Sequence, residues 1–180
     1  MKPCVIWLTG LSGAGKSTIA AALCDLFAEV GHPAILLDGD AVRDAIGDEN
    51  CGHDPESRLK NAYRICRFAR MLAEQGFPVI VATMSLYHEI HDWNRKNLPG
   101  YFETYLDVSP EVLRKRDPKG LYRRAEQGRE TNMVGLHIVV QAPKAPHLRL
   151  TNNGDLSEVP KMVRRVFEAA LAALGESCGR

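Results

Sequence analysis

The sequence predicts a three-layer α/β fold built on a parallel sheet of about five strands. Two observations carry this expectation. Strand-like and helix-like segments alternate along the chain, as in proteins assembled from βα units. A glycine-rich stretch, Gly10 to Ser17, also falls where the first strand-like run gives way to the first helical one.

The elements follow in order. Cys4 to Thr9 is rich in β-branched and aromatic residues and ends at Gly10, a strand signal. Lys16 to Val30 is alanine-rich and helical, and Gly31 stops it. Ala34 to Leu37 reads as a second buried strand that closes on Asp38-Gly39-Asp40. The spacing of Ala62, Ile65, Cys66, Ala69, Leu72 and Ala73 predicts a helix over about 57–75, ended by Gly76. Pro78 to Thr83 reads as a central strand and Tyr101 to Val108 as another. Ser109-Pro110 looks like a helix cap followed by proline at the first helical position. His147 to Thr151 should be the last strand. A C-terminal helix opening at Ser157 should bury Val159, Met162, Val163, Val166, Phe167, Ala170, Leu171 and Leu174 on one face. Between Asp117 and Pro146 core periodicity fades while Lys119, Arg123, Arg124, Arg129 and Lys144 accumulate. This segment reads as a mobile basic lid.

A length of 180 residues suits one domain, here taken as 1–180, and is short for two. With 23 Lys+Arg against 22 Asp+Glu, the formal net charge of +1 creates no field that would draw nucleic acid or an anionic membrane. A hydrophobic share of 45% and a charged share of 25% fit a folded globular chain rather than a disordered one. No apolar run could span a bilayer, and the first residues do not fit a signal peptide. The 5 cysteines are odd in number and form no C-x-x-C pair, so reduced thiols in a cytoplasmic protein are expected. His88-Glu89-Ile90-His91 misses the H-E-x-x-H zinc spacing by one residue and reads as a polar helix face.

Gly10-Leu11-Ser12-Gly13-Ala14-Gly15-Lys16-Ser17 fits G-x-x-x-x-G-K-[ST], and it sits between a predicted strand and a predicted helix, as a phosphate loop must. Its glycines let backbone N–H groups turn toward phosphate oxygens, and the helix N-terminus adds partial positive charge. Lys16 should neutralise the β- and γ-phosphates of ATP, and the Ser17 hydroxyl should coordinate Mg²⁺. Asp38 and Asp40 fall at the end of a strand, where a parallel sheet presents its ligand crevice. A carboxylate there can hold Mg²⁺ through water or accept the proton of an attacking hydroxyl. No N-K-x-D guanine signature is present. The pattern suggests phosphoryl transfer to an alcohol.

At this point the sequence resembles the adenylylsulfate kinase family over nearly its whole length. The resemblance rests on Gly10 to Thr18, on Leu37-Asp38-Gly39-Asp40-Ala41-Val42-Arg43, and on Arg116-Asp117-Pro118-Lys119-Gly120-Leu121-Tyr122. It implies a P-loop kinase fold and the use of MgATP to phosphorylate the ribose 3′-hydroxyl of adenosine 5′-phosphosulfate. Gly10, Ser12, Gly13, Ala14, Gly15, Lys16, Ser17, Thr18 and Arg116 would then bind ATP. Lys16, Asp38 and Asp40 would be catalytic, with Asp40 engaging the acceptor hydroxyl. Arg43 would pair with the acceptor's 5′-phosphate. Arg58, Asn61 and Arg64 match an R-x-x-N-x-x-R pattern of the acceptor pocket and, at helical spacing, share one face. Ser85 matches a family phosphoserine position, but in-line transfer needs no covalent intermediate, so it is assigned to the acceptor site. Lys119 belongs to the lid, whose closure would exclude water.

The sequence departs from the family where the acceptor base is read. Two phenylalanines that sandwich adenine in the family correspond here to His53 and Met133. Further along the lid the chain reads His137 and Val139-Val140-Gln141 in place of the family's aspartate and Pro-Tyr-Glu. These changes suggest the same reaction on a different acceptor, and the run from Ser85 to Tyr122, together with the short N-terminus, resembles a side branch of the family that sits in capsule or surface-polysaccharide pathways. One activity known in that branch is phosphorylation of a cytidine 5′-diphosphoramidate. The resemblance therefore implies the family's reaction on an acceptor nucleotide of unfixed base. A regulatory nucleotide-binding module would not need the acceptor arginines. A nucleic-acid binder would need a basic stripe with aromatic platforms, which is lacking. The oligomeric state is left open, a homodimer included.

Overall fold

The computed structural model describes residues 2–48, 52 and 54–175. Its sheet has five parallel strands in the order β2-β3-β1-β4-β5. These are β1 (Cys4–Thr9), β2 (Ile35–Asp38), β3 (Pro78–Thr83), β4 (Tyr101–Asp107) and β5 (Leu148–Thr151). β1 lies between β3 and β4, pairing Cys4 with Pro78 through Thr9 with Thr83 on one side and Thr9 with Tyr105 on the other. The strands therefore end together, which places Thr9, Asp38, Thr83 and Asp107 along the edge where such sheets take ligands.

Strand alternation divides the core into two layers. Ile6 and Leu8 of β1 face α1 (Lys16–Glu29) and α7 (Val159–Ala173), packing with Ile19, Leu23, Val166 and Phe167. Phe27 and Phe167 meet edge-to-face at 5.0 Å. Val5 and Trp7 face the opposite way, against Ala62, Ile65, Cys66 and Ala69 of α3 (Pro55–Glu74). Each layer thus seals one face of the sheet and leaves its ligand edge open. Among the described residues no helix is long and apolar enough to cross a membrane. Cys4 and Cys66 are buried and Cys24 is partly buried, all three as free thiols. Cys51 and Cys178 lie outside the described residues.

Several elements depart from the sequence reading. β2 begins at Ile35, includes Asp38, and is only half-buried because it is an edge strand. Asp38-Gly39-Asp40 also starts a helix that the sequence reading did not include. Asp38 caps α2 (Gly39–Ile46), its Oδ1 accepting from the Asp40 N–H at 3.0 Å. α3 opens at Pro55, capped by Asp54, whose Oδ1 accepts from the Ser57 N–H at 3.0 Å. α5 (Pro110–Arg116) starts as the Ser109-Pro110 signal predicts, with Ser109 Oγ accepting from Val112 N–H. Ser157 does not open α7. It belongs to a 3-10 turn, Leu156–Glu158, capped by Asp155.

α4 (His88–Asn97) is less polar in its setting than in its sequence, since Ile90, His91 and Asn94 are buried. It packs over Glu103 of β4, which is fully buried. That carboxylate is held by Arg95 and by the Tyr101 hydroxyl at 2.9 Å. A buried charge is tolerated only with such partners. His91 Nε2 donates to Ser85 O at 3.0 Å, so the network also fixes the loop after β3. The expected lid carries a helix, α6 (Leu121–Glu126), and it is anchored: Tyr122 and Met133 are buried in the main core.

Candidate active site

At the ligand edge lies a cavity of about 980 Å³, lined by the phosphate loop, α2, α3, the loop after β3 and the segment 116–139. Ser12, Gly13, Gly15, Lys16, Ser17 and Thr18 form its floor. Gly10 and Ala14 do not line it; they shape the loop. A Cβ on Gly10 would lie 2.7 Å from Leu106 O, so the loop crosses β4 too closely for any side chain. Gly13 and Gly15 adopt positive φ of 81° and 89°, turning successive N–H groups toward the cavity.

Lys16 Nζ donates to Gly10 O and Leu11 O, both at 2.8 Å. Burial, then the neighbouring Lys119 charge, lower its pKa to about 8, with Asp40 and Asp38 opposing. Its ammonium is thus poorly solvated and poised for an anion. Ser17 Oγ donates to Asp38 Oδ2 at 2.6 Å. The Asp38 carboxylate therefore caps α2 with one oxygen and reaches the phosphate loop with the other. Gly39 permits this approach, because a Cβ there would sit 2.8 Å from Thr83 Oγ1.

Asp40, one residue further, is paired with Lys119 of the lid. Burial pushes the Asp40 carboxyl up, but the Lys119 hydrogen bond and charge, with Lys16 and Arg43, outweigh it and hold the group below its ordinary value. Arg116, at the end of α5, donates to Gly13 O at 3.4 Å and Gly154 O at 2.5 Å, tying the phosphate loop to the segment after β5.

The other end is made of side chains. Arg43, Arg58 and Asn61 line the cavity. Arg43 donates to Gly52 O at 2.8 Å, and Arg58 to Asn132 O of the lid at 3.2 Å. Ser85 also lines it, buried, with its hydroxyl 3.1 Å from Thr83 Oγ1. Arg64 does not line the cavity. It shares the helical face expected for it but pairs with Asp48 at 2.5 Å. Met133 does not line it either. At 4% exposure it points into the main core, and Val134, Ile138 and Val139 form the lid wall instead. His53 lies outside the described residues. Of the lid cations expected here, Lys119 and Arg124 reach the cavity. Tyr87 and Asn152 line it as well. Sequence reading assigned neither to the site: Asn152 belongs to no motif, and Tyr87 stands two residues after Ser85 with no role given to it.

A phosphate loop with an inward lysine, a serine–aspartate pair beside it and a second carboxylate facing two arginines define a P-loop phosphotransferase. The fold agrees with solved structures. It superposes on the Mycobacterium tuberculosis APS kinase CysC, solved with AMPPNP and APS, with a TM-score of 0.85 and 32% identity, covering 93% of this chain and 97% of that one. The adenylylsulphate kinase family model matches residues 2–151, and the chain belongs to that family. It is an ATP-dependent phosphotransferase acting on a nucleotide. Among curated relatives, the cytidine diphosphoramidate kinase of Campylobacter jejuni is 41% identical over 143 residues, covering 79% of this chain and 83% of that protein. The adenylyl-sulfate kinase of Pseudomonas aeruginosa is 40% identical over 170 residues, covering 92% and 84%.

Proposed function

We propose that this kinase transfers the γ-phosphoryl group of MgATP to the ribose 3′-hydroxyl of a pyrimidine nucleotide with a modified 5′-diphosphate, a cytidine diphosphoramidate being the best candidate. One observation carries the choice of base. The lid wall is aliphatic, built from Val134, Ile138 and Val139, because Met133 turns into the core. A purine gains most from broad aromatic stacking, and a smaller pyrimidine loses least without it. The likeness to the Campylobacter cytidine diphosphoramidate kinase supports the same reading. Adenosine 5′-phosphosulfate is the second reading, favoured by the Arg43–Arg58–Asn61 group, which suits any paired anionic groups, and by the Pseudomonas and Mycobacterium relatives.

The residues support the transfer as follows. The loop N–H groups and Lys16 hold the β- and γ-phosphates, Lys16 leaving its own loop carbonyls to do so. Hard oxygen donors, Ser17 Oγ and Asp38 across 2.6 Å, suit Mg²⁺. The metal would neutralise charge on the transferring group. Asp40 orients the acceptor hydroxyl and takes its proton once Lys119 has moved from it to the phosphates. Arg43, Arg58 and Asn61 hold the acceptor's 5′ group. Ser85 contributes a hydroxyl to the acceptor wall and is not a nucleophile.

The test is ADP release with each acceptor, with the product's phosphate position read by phosphorus NMR. The reading expects the cytidine diphosphoramidate to give the higher kcat/KM and a 3′-phosphate. Efficient turnover of adenosine 5′-phosphosulfate alone sinks it.

A further inference from the structure

We infer that Asn152 is a positioning residue for ATP: its side-chain amide holds the phosphate loop in the shape that binds nucleotide and sets the guanidinium of Arg116 beside it.

A phosphate loop can aim its N–H groups at a ligand only if its carbonyls point away and find donors there. In this chain side chains serve five successive carbonyls. Lys16 Nζ donates to Gly10 O and Leu11 O. Tyr122 Oη lies 3.5 Å from Ser12 O, and Arg116 Nη1 donates to Gly13 O at 3.4 Å. Asn152 Nδ2 donates to Ala14 O at 2.9 Å. Lys16 must serve the phosphates of bound ATP, so Gly10 O loses its side-chain donor during the reaction, while Leu11 O keeps the Ala14 N–H at 3.2 Å. The outer belt of Tyr122, Arg116 and Asn152 can stay in place.

Asn152 is the most deeply set of the three. It is 4% exposed, directly after β5, and its backbone N–H donates to Asp107 O at 3.1 Å. Ala14 is fully buried, so its carbonyl depends on this amide. The other end of the amide is used too. Oδ1 accepts from Arg116 Nη2 at 3.4 Å, and that same nitrogen donates to Gly154 O. One side chain thus ties the loop to the last residue of α5 and to the segment after β5. The loop is fitted around it, since a Cβ on Gly15 would lie 2.7 Å from Nδ2.

The chemistry calls for a primary amide. The position must donate to a carbonyl and accept from a guanidinium at once. Aspartate has the same size but no donor, and it would set an anion against Ala14 O and near the ATP phosphates. Leucine has similar volume, leaves Ala14 O unmet and takes one acceptor from Arg116, and the loss costs most at the buried carbonyl.

The experiment measures AMPPNP affinity by calorimetry in the full chain without any acceptor, so it does not depend on which acceptor is correct. Asn152→Asp and Asn152→Leu are each expected to weaken nucleotide binding by about tenfold or more. Steady-state kinetics should show the loss in the KM for ATP, with the acceptor KM little changed. Combined with Arg116→Ala, Asn152→Leu should lose less than the product of the two single effects, because the two residues act together. Unchanged AMPPNP affinity with a lowered melting temperature would make Asn152 merely structural. Equal losses for ATP and acceptor, or two variants that both fail to fold, overturn the inference as well.

Discussion

The two ends of the cavity are built by different means. The phosphate end is backbone. Gly10, Gly13 and Gly15 take conformations or approaches that side chains resist, and the loop's carbonyls are held from outside. The acceptor end is side chain. Arg43, Arg58, Asn61 and the aliphatic lid wall project from α2, α3 and the 130–139 segment. A backbone site recognises what every nucleotide triphosphate shares and cannot change by single substitutions without losing its shape. A side-chain site can exchange residues while the fold stays put. Conserved chemistry and altered specificity can therefore coexist in one cavity, and each end can be probed separately.

The largest effect belongs to the phosphate end. Lys16→Ala removes the only charged side chain that the loop itself contributes to the phosphates. Activity should fall by about a hundred- to a thousand-fold, the usual loss on deleting a main electrostatic stabiliser. Far-UV circular dichroism should be unchanged, since the ammonium bonds to two carbonyls of its own loop and to no helix or strand of the sheet. A variant with near-normal turnover would break the division of labour between the two ends.

Asp40 stands at the boundary, and Asp40→Asn comes next. It keeps shape but loses the carboxylate proposed to take the acceptor proton, and kcat should drop by about a hundredfold or more. The acceptor KM should move much less. A change confined to KM would place Asp40 with the binding residues instead.

A pH series separates the ends in another way. The Lys16 pKa is lowered to about 8. Below that value the ammonium is present and the KM for ATP should be flat. Above it the charge is lost from the free enzyme and the KM should rise, approaching tenfold per pH unit. Stability moves oppositely. Between about 8 and the ordinary 10.5 the unfolded chain holds the proton and the folded one does not, so the nucleotide-free fold gains stability as pH rises. Lys16→Arg stays charged and should flatten the profile.

The same contrast explains what the sequence revealed. Backbone sites need glycine at fixed spacing, so the phosphate loop and the strand before it were legible residue by residue. The α2 start was half-legible: Asp38 reads as the end of a strand, and its Oδ1 bond to Asp40 N–H shows that it also caps a helix. α4 misled because its buried face is polar. His91, Asn94 and the Glu103 beneath them look like surface in a linear reading and are buried in three dimensions, His91 bonded to Ser85 O and Glu103 to Arg95. Met133 misled in the opposite sense. A motif position fixes where a residue falls along the chain, not whether its side chain turns toward the ligand or the core.

Arg58 and Arg64 give the finest test, because the sequence makes them equivalent and the structure does not. Both lie on α3 on one helical face. Arg58 lines the cavity and reaches the lid at Asn132 O, whereas Arg64 is turned to Asp48 and does not line it. Arg58→Ala should raise the acceptor KM by about tenfold, as expected for losing a charged hydrogen bond to an anion. Arg64→Ala removes the pair with Asp48, a partly exposed pair that contributes on the order of 1 kcal/mol or less. Its acceptor KM should shift by no more than a few-fold, and Asp48→Ala should reproduce that shift. If Arg64→Ala instead matched Arg58→Ala while Asp48→Ala did nothing, Arg64 would swing from its partner to the acceptor on binding. The acceptor end would then be completed by the ligand, as a side-chain site permits and a backbone site does not.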